Sequence, residues 1–253
     1  MTSTELLTSA TTALQAAADA YNARVDEISA KMNDLRGIVG DEMTFIGYVT
    51  PNEVNPTRVD GGTFLSIKEV IDASPDAANV HVYLPSDATF QLDVNIATGR
   101  RLVQIRKDGA GANPILQPVP YLNVANNYSR YFFSRAGAII FNEVDLDLTL
   151  PAVDGGTPFI VARASVVTYD SAMPAVVAVI NATVTGIGDG RGVVGIGVGA
   201  MAQLGLSNVT LDNATGIAGA ANGVAIVSQQ AVTLVNGGVL NDGGTLGQNL
   251  IKN

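Results

Sequence analysis

The first forty residues carry the pattern that most limits what this chain can fold into. Leu7, Leu14, Tyr21, Ile28 and Leu35 recur every seven residues, and Thr11, Ala18, Val25, Met32 and Val39 form a second series offset by four. Two series with this offset are the a and d positions of a heptad helix, a narrow stripe along one side. No proline interrupts the segment, and Gly37 and Gly40 fall where the helix is expected to stop. Thr11, Ala18 and Tyr21 are poor knobs, so the first half is expected to be the looser one. A helix this long cannot bury so thin a stripe alone. Residues 1–40 are therefore expected to self-associate through a seam of Leu7, Leu14, Tyr21, Val25, Ile28, Met32, Leu35 and Val39. A helix packed on its own domain is the competing reading, and the seam alone leaves two strands and three open.

The remainder must bury surface too, because 47% of the residues are hydrophobic and only 15% charged, with 27 glycines. That mixture suits stacked β-structure or a large subunit interface better than a charged globule. The chain has no cysteine, which excludes disulfides and thiolate metal sites. A net charge of −9 argues against a phosphate-binding surface and hence against nucleic acid as a partner. The first residues lack the basic and apolar regions of a secretory signal. The longest uncharged stretches are interrupted by Gln, Ser, Asn, Thr and Gly, so no membrane insertion is expected.

After Gly40 the pattern turns from helical to extended. Residues 41–75 read as a connector, with a strand at Phe45–Val49, a Pro/Asn-rich passage, a turn at Asp60-Gly61-Gly62, and a helix from Phe64 to about Ala73. Leu65, Val70 and Ile71 are its expected apolar face, and Ser74-Pro75 ends it. Residues 76–253 then give one short apolar run after another. Those at Val80, Val103, Val144, Val167, Val184, Val209 and Val232 are 23, 41, 23, 17, 25 and 23 residues apart. A recurrence near 23 predicts stacked solenoid coils, with the interval of 41 holding two coils or an excursion through Asp108–Ala138. A β-sandwich competes, since strands of this length fit that fold as well.

The heptad segment Leu7–Val39, the break at Gly40, and the passage Gly61-Gly62-Thr63-Phe64-Leu65-Ser66-Ile67-Lys68-Glu69-Val70 come in a telling order. With the runs Val80–Pro85, Val94–Ile96 and Leu102–Ile105 that follow, this layout resembles bacteriophage, or phage-tail-like particle, tail fibre and tail spike proteins. The glycine-led entry looks like the opening of their pectate-lyase-like right-handed β-helix. The resemblance is one of layout, carried by no single motif. It implies a mostly β protein: an N-terminal trimeric α-helical coiled coil, then an elongated trimeric right-handed β-helix or β-prism shaft. It further implies a homotrimer of the virion tail, made in the host cytoplasm, held to a tail or baseplate protein through the N-terminal segment and touching a host surface glycan or protein distally. Enzymatic spikes of that kind carry more coils and long groove-forming loops, which this chain lacks.

Candidate chemistry is sparse. The one histidine, His81, alternates with Val80, Val82 and Leu84 and is expected to point away from the core, without an accompanying nucleophile pattern. Glu143, Asp145 and Asp147 alternate with Val144, Leu146 and Leu148, which puts the carboxylates on one strand face. They read as a solvated row or as an oxygen cluster for a cation. Gly186-x-Gly188-x-Gly190 and Gly195-x-Gly197-x-Gly199 open no helix and fit tight corners or close backbone approach better than phosphate binding. The basic group Arg100, Arg101, Arg106 and Lys107 reads as a strand end or as a contact for an acidic surface. Tyr121, Tyr128, Arg130 and Tyr131 sit in an aromatic, Asn-rich stretch that reads as a glycan contact or as subunit packing. The expected function is host attachment by a virion fibre without catalysis or cofactor. A structural connector between baseplate and fibre, or a polysaccharide-degrading spike, are the rivals.

Overall fold

The computed structural model describes residues 2–134, 137–159, 165–169, 175–197, 200–219, 223–241 and 250–252. The chain divides into two compact units, Met1–Met43 and Thr44–Asn253. The first is a single helix, α1 (Ser3–Glu42), which continues through Gly37 and Gly40 rather than ending there. Its surface is tied by (i, i+4) pairs such as Glu27–Lys31 at 2.7 Å. Leu14, Tyr21, Val25 and Ile28 are exposed, with 76% of Leu14 open to solvent. The expected seam side chains Leu7, Met32, Leu35 and Val39 lie outside the described residues.

The second unit is mostly β, a curled parallel sheet resembling half a barrel, with a smaller parallel sheet and one hairpin. It opens with β1 (Thr44–Val49), β2 (Gly62–Phe64) and α2 (Ile67–Ala73). Ser66 accepts a hydrogen bond from the Glu69 N–H to start α2. The helix begins later than the sequence suggests, so Ile67, not Leu65, joins Val70 and Ile71 on its buried face. Within the stretch 41–75, β1 pairs in parallel with the strand that follows α2, β3 (Asn79–Pro85).

Three runs of parallel strands follow. The first contains β3, β6 (Leu102–Asp108), β11 (Ala138–Asn142) and the opening halves of the long strands β14 (Ala175–Thr185), β16 (Met201–Asp212) and β18 (Val224–Val235). The second contains β4 (Thr89–Leu92), β7 (Ile115–Pro118), β12 (Asp145–Asp147) and the closing halves of β14, β16 and β18. The third is a 6-stranded sheet of β5 (Ile96–Gly99), β10 (Phe132–Ser134), β13 (Val167–Tyr169), β15 (Gly192–Ile196), β17 (Thr215–Ala218) and β19 (Val239–Asn241). The described chain closes on β20 (Leu250–Lys252), which pairs with β18.

Alternation sends every second side chain into one common core. In register, Val80, Val103, Ile139, Val177, Leu204 and Val227 stack along the first run. Phe90, Leu116, Leu146, Val184 and Leu211 stack along the second. Ile96, Phe132, Val167, Val194 and Ile217 stack along the third. Phe132 meets Phe141 edge-on at 5.9 Å, joining the inner sides of the first and third runs.

The bends of the long strands rest on residues with left-handed backbone. Asn181, Asn208 and Ala231 have φ of 53, 53 and 52°, and Glu143 takes φ 56° between β11 and β12. Register puts the four in one column. Asparagine tolerates this conformation better than other L-residues. Asn208 Nδ2 donates to Asn181 Oδ1 at 3.0 Å, linking two rungs of that column. Gly186 fits a neighbouring corner for another reason: a Cβ there would lie 2.6 Å from the Asn213 carbonyl oxygen.

The 23-residue interval is real only in places. Val80 and Val103 are register partners, as are Val209 and Val232. Val184 instead pairs with Leu211, and Val167 belongs to the third run. The partner of Val103 is Ile139, not Val144. The added chain leaves the stack as an antiparallel hairpin, β8 (Pro120–Asn123) and β9 (Asn126–Ser129), inside the expected excursion.

Candidate functional site

The hairpin is the most distinctive surface feature of the β unit, and Asn127 fastens it. This buried side chain donates from Nδ2 to the Thr157 carbonyl at 2.6 Å and accepts from the Val153 N–H at 2.8 Å. Thr157 returns its N–H to the Ala125 carbonyl at 2.9 Å and its hydroxyl to Asn126 Oδ1 at 2.8 Å. Hairpin and residues 153–157 thus form one ledge. At its tip Val124 is 91% exposed with φ 58°, a strained setting for a β-branched residue.

Three of the four expected contact residues meet on this ledge. Tyr121 and Tyr128 are cross-strand partners with stacked rings 5.8 Å apart, and the Arg130 guanidinium lies 3.9 Å from the centre of the Tyr121 ring. Tyr128 is buried, Tyr121 and Arg130 half-buried. The Tyr131 backbone is tied to the third run: its N–H donates to Asn95 Oδ1 at 3.2 Å and its carbonyl accepts from the Ile96 N–H. The Arg130 backbone N–H donates to the Val119 carbonyl at 3.0 Å, whereas its guanidinium donates no hydrogen bond among the described residues, so that edge is available. A guanidinium over a ring beside amide-bearing Asn123 and Asn126 can hold a hydroxylated or acidic ligand.

The carboxylates alternate with Val144, Leu146 and Leu148 as the sequence predicts, and those three are buried. Each acid, however, is already occupied. Asp145 Oδ1 accepts from the Thr183 N–H at 2.8 Å and from Asn113 Nδ2 at 3.0 Å. Asp147 accepts from Gln117 Nε2 and the Thr149 N–H, both at 2.9 Å. Glu143 pairs with Lys107 at 3.3 Å. Among the described residues no group of three or more His, Cys, Asp or Glu is placed to hold a metal ion. A shallow cavity of about 450 Å³ beside Asp145, Asp147, Thr183 and Thr185 is walled by these same groups.

Of the other candidates, Arg100, Arg101, Lys107 and His81 have partners within the chain. Arg100 bonds Asp76 at 2.8 Å and holds that carboxyl below its ordinary range; Arg101 donates to the Ser74 and Pro75 carbonyls. Lys107 also reaches the Gly111 carbonyl. His81 points away from the core and touches Gln104 at 3.2 Å; burial first, then the Arg106 charge, pushes its pKa down. Gly188 and Gly190 have φ of 73 and 84°, the corner geometry expected of them, while Gly199 lies outside the described residues. One buried group had no sequence signal: Arg191, whose Nε donates to both Asp189 oxygens at 3.1 and 2.9 Å and whose guanidinium lies 4.3 Å from the centre of the Phe159 ring. Only its burial, invisible in a Gly-Arg-Gly string, marks it.

No family model, curated protein or solved structure was found to match this chain.

Proposed function

We propose that the chain is the subunit of a homotrimeric fibre of a bacteriophage or phage-tail-like particle, which attaches the particle to its host cell without catalysis. In this reading the three parallel runs are faces of one right-handed β-helix, the hand that parallel crossovers almost always take. The helix α1 is one strand of a three-stranded coiled coil that aligns the copies and holds the tail. The observation that carries the proposal is the pairing of a 40-residue helix, its heptad positions Leu14, Tyr21, Val25 and Ile28 exposed, with a β unit whose strands stack in parallel register. Such a stack is stiff along its length, and three copies multiply weak contacts through avidity. The ledge of Tyr121, Tyr128 and Arg130 is the proposed glycan contact.

Purified protein mixed separately with intact host bacteria and with isolated tail particles tests this. Binding to cells, weakened by Tyr121→Ala or Arg130→Ala, is the expected result. Capture by tail particles alone makes the chain a connector, and capture by neither overturns the proposal. New reducing ends from host polysaccharide would overturn its non-catalytic part.

A further inference from the structure

Four outward residues line up in register across β1, β3, β6 and β11: Tyr48, Tyr83, Arg106 and Asn142. Alternation turns them away from the core, in which their neighbours Val82, Ile105 and Phe141 are buried. The Tyr48 and Tyr83 rings stack 5.1 Å apart with 17° between their planes. In the row two residues earlier, Gln104 touches His81 and donates to Asn79 Oδ1 at 2.8 Å, with Ile140 beyond it. Arg106 is a cation without a counter-charge. Arg58, Lys68, Arg100, Lys107 and Arg191 each pair with a carboxylate. Among the described residues the Arg106 guanidinium donates no hydrogen bond and faces no carboxylate; Asp108, two residues along β6, makes no ion pair with it. Its Nε is shielded from solvent without a partner, and so is Oδ1 of Asn142 beside it. Shielded polar atoms left unpaired are costly, which marks a place where a bound group can supply the missing bonds. The Tyr48 and Tyr83 hydroxyls also have no hydrogen-bond partner among the described residues.

We propose that this row binds an acidic glycan, with the Arg106 guanidinium taking a sugar carboxylate and the Tyr48, Tyr83 and Asn142 side chains taking hydroxyls. The inference adds a second sugar contact to the attachment reading and does not depend on the hairpin ledge. Charge selects the occupant. One guanidinium among uncharged donors and acceptors suits a hydroxyl-rich chain that carries a carboxylate at intervals, and the planar fork matches the two carboxylate oxygens. The net −9 of the chain opposes denser polyanions such as nucleic acid. Four strands at a spacing of ~4.8 Å make a row about 14 Å long, which fits an oligomer better than a single small ion. Each of the four side chains is half-buried, so the row is shielded enough to strengthen its polar contacts and open enough to be reached.

Saturation-transfer NMR on the full-length protein tests this with a hyaluronan tetrasaccharide, in which charged and neutral sugars alternate. Maltotetraose is the neutral control and tetraglutamate the acidic peptide control. All titrations use a Tyr121→Ala background, which removes the ledge contact, and circular dichroism checks each variant. The tetrasaccharide should bind more tightly than either control. Adding Arg106→Gln should weaken it about tenfold, the loss of one charge-assisted pair. Tyr83→Phe keeps the ring, should weaken binding by a smaller factor, and carries the test if Arg106→Gln does not fold. Equal affinity for maltotetraose, tighter binding of tetraglutamate, or affinity unchanged by both substitutions would overturn the assignment. Binding seen with Tyr121 intact and lost in the Tyr121→Ala background would also overturn it, and leave the ledge standing.

Discussion

The column of left-handed residues at the strand bends sets a specific demand on Asn208. Alanine at φ 53° costs about 1–2 kcal/mol relative to a relaxed backbone, and asparagine escapes much of that. The Nδ2 donation to Asn181 at 3.0 Å adds about 0.5 kcal/mol net, the low end for a hydrogen bond because the pair is exposed. Asn208→Ala should therefore destabilise the β unit by about 1.5–2 kcal/mol. Asn208→Gly keeps the backbone at ease but loses the bond and some unfolded-state entropy, a cost of about 1 kcal/mol. Register places Ala231 directly beyond Asn208 at φ 52°, so Ala231→Asn should gain about 1 kcal/mol by removing strain and lengthening the amide ladder. Urea unfolding followed by circular dichroism reads all three as midpoint shifts at constant slope. If alanine at position 208 is tolerated as well as glycine, backbone conformation is not what selects the residues of this column.

Further expectations follow from burial and charge. Leu146→Ala removes a side chain only 1% exposed at the centre of its stack and should cost about 2–5 kcal/mol in the same unfolding assay. Asp189→Asn should destabilise more than Arg191→Met, because the Asp189 side chain, 28% exposed, can rehydrate whereas Arg191 at 1% cannot; the former loss is about 3 kcal/mol. His81 has a folded pKa below its ordinary 6.5, so the unfolded chain binds more protons and stability falls as pH drops through and below that value. Unfolding midpoints at about pH 7.5 and about pH 5.5 should differ more in the native chain than in His81→Gln, since histidine alone among the unperturbed side chains titrates across that window.

Much of this was legible in the sequence because alternation and the heptad period are local. The inward positions of β3 and β12 and the outward turn of His81 need only the sign of each residue. The recurring interval misled where a rung grew, since Val-Thr pairs occur in more than one run and nothing local says which. The Val103–Ile139 step contains the hairpin, and no fixed spacing survives such an insertion. The carboxylate row was placed on the correct face, but its occupants come from Asn113, Gln117 and Thr183, residues brought there only by stacking. Tyr131 stands where the chain re-enters the third run, ahead of Phe132, a change of direction that no local pattern announces. Arg191 was hidden for the same reason as Asn127: burial of a polar group is decided by distant chain.

The proposed association of three copies lengthwise is read out by native mass spectrometry of the full-length protein. A trimer gives a dominant species at three times the 26.1 kDa chain mass, persisting at low micromolar concentration. A single-chain species under the same conditions would contradict it.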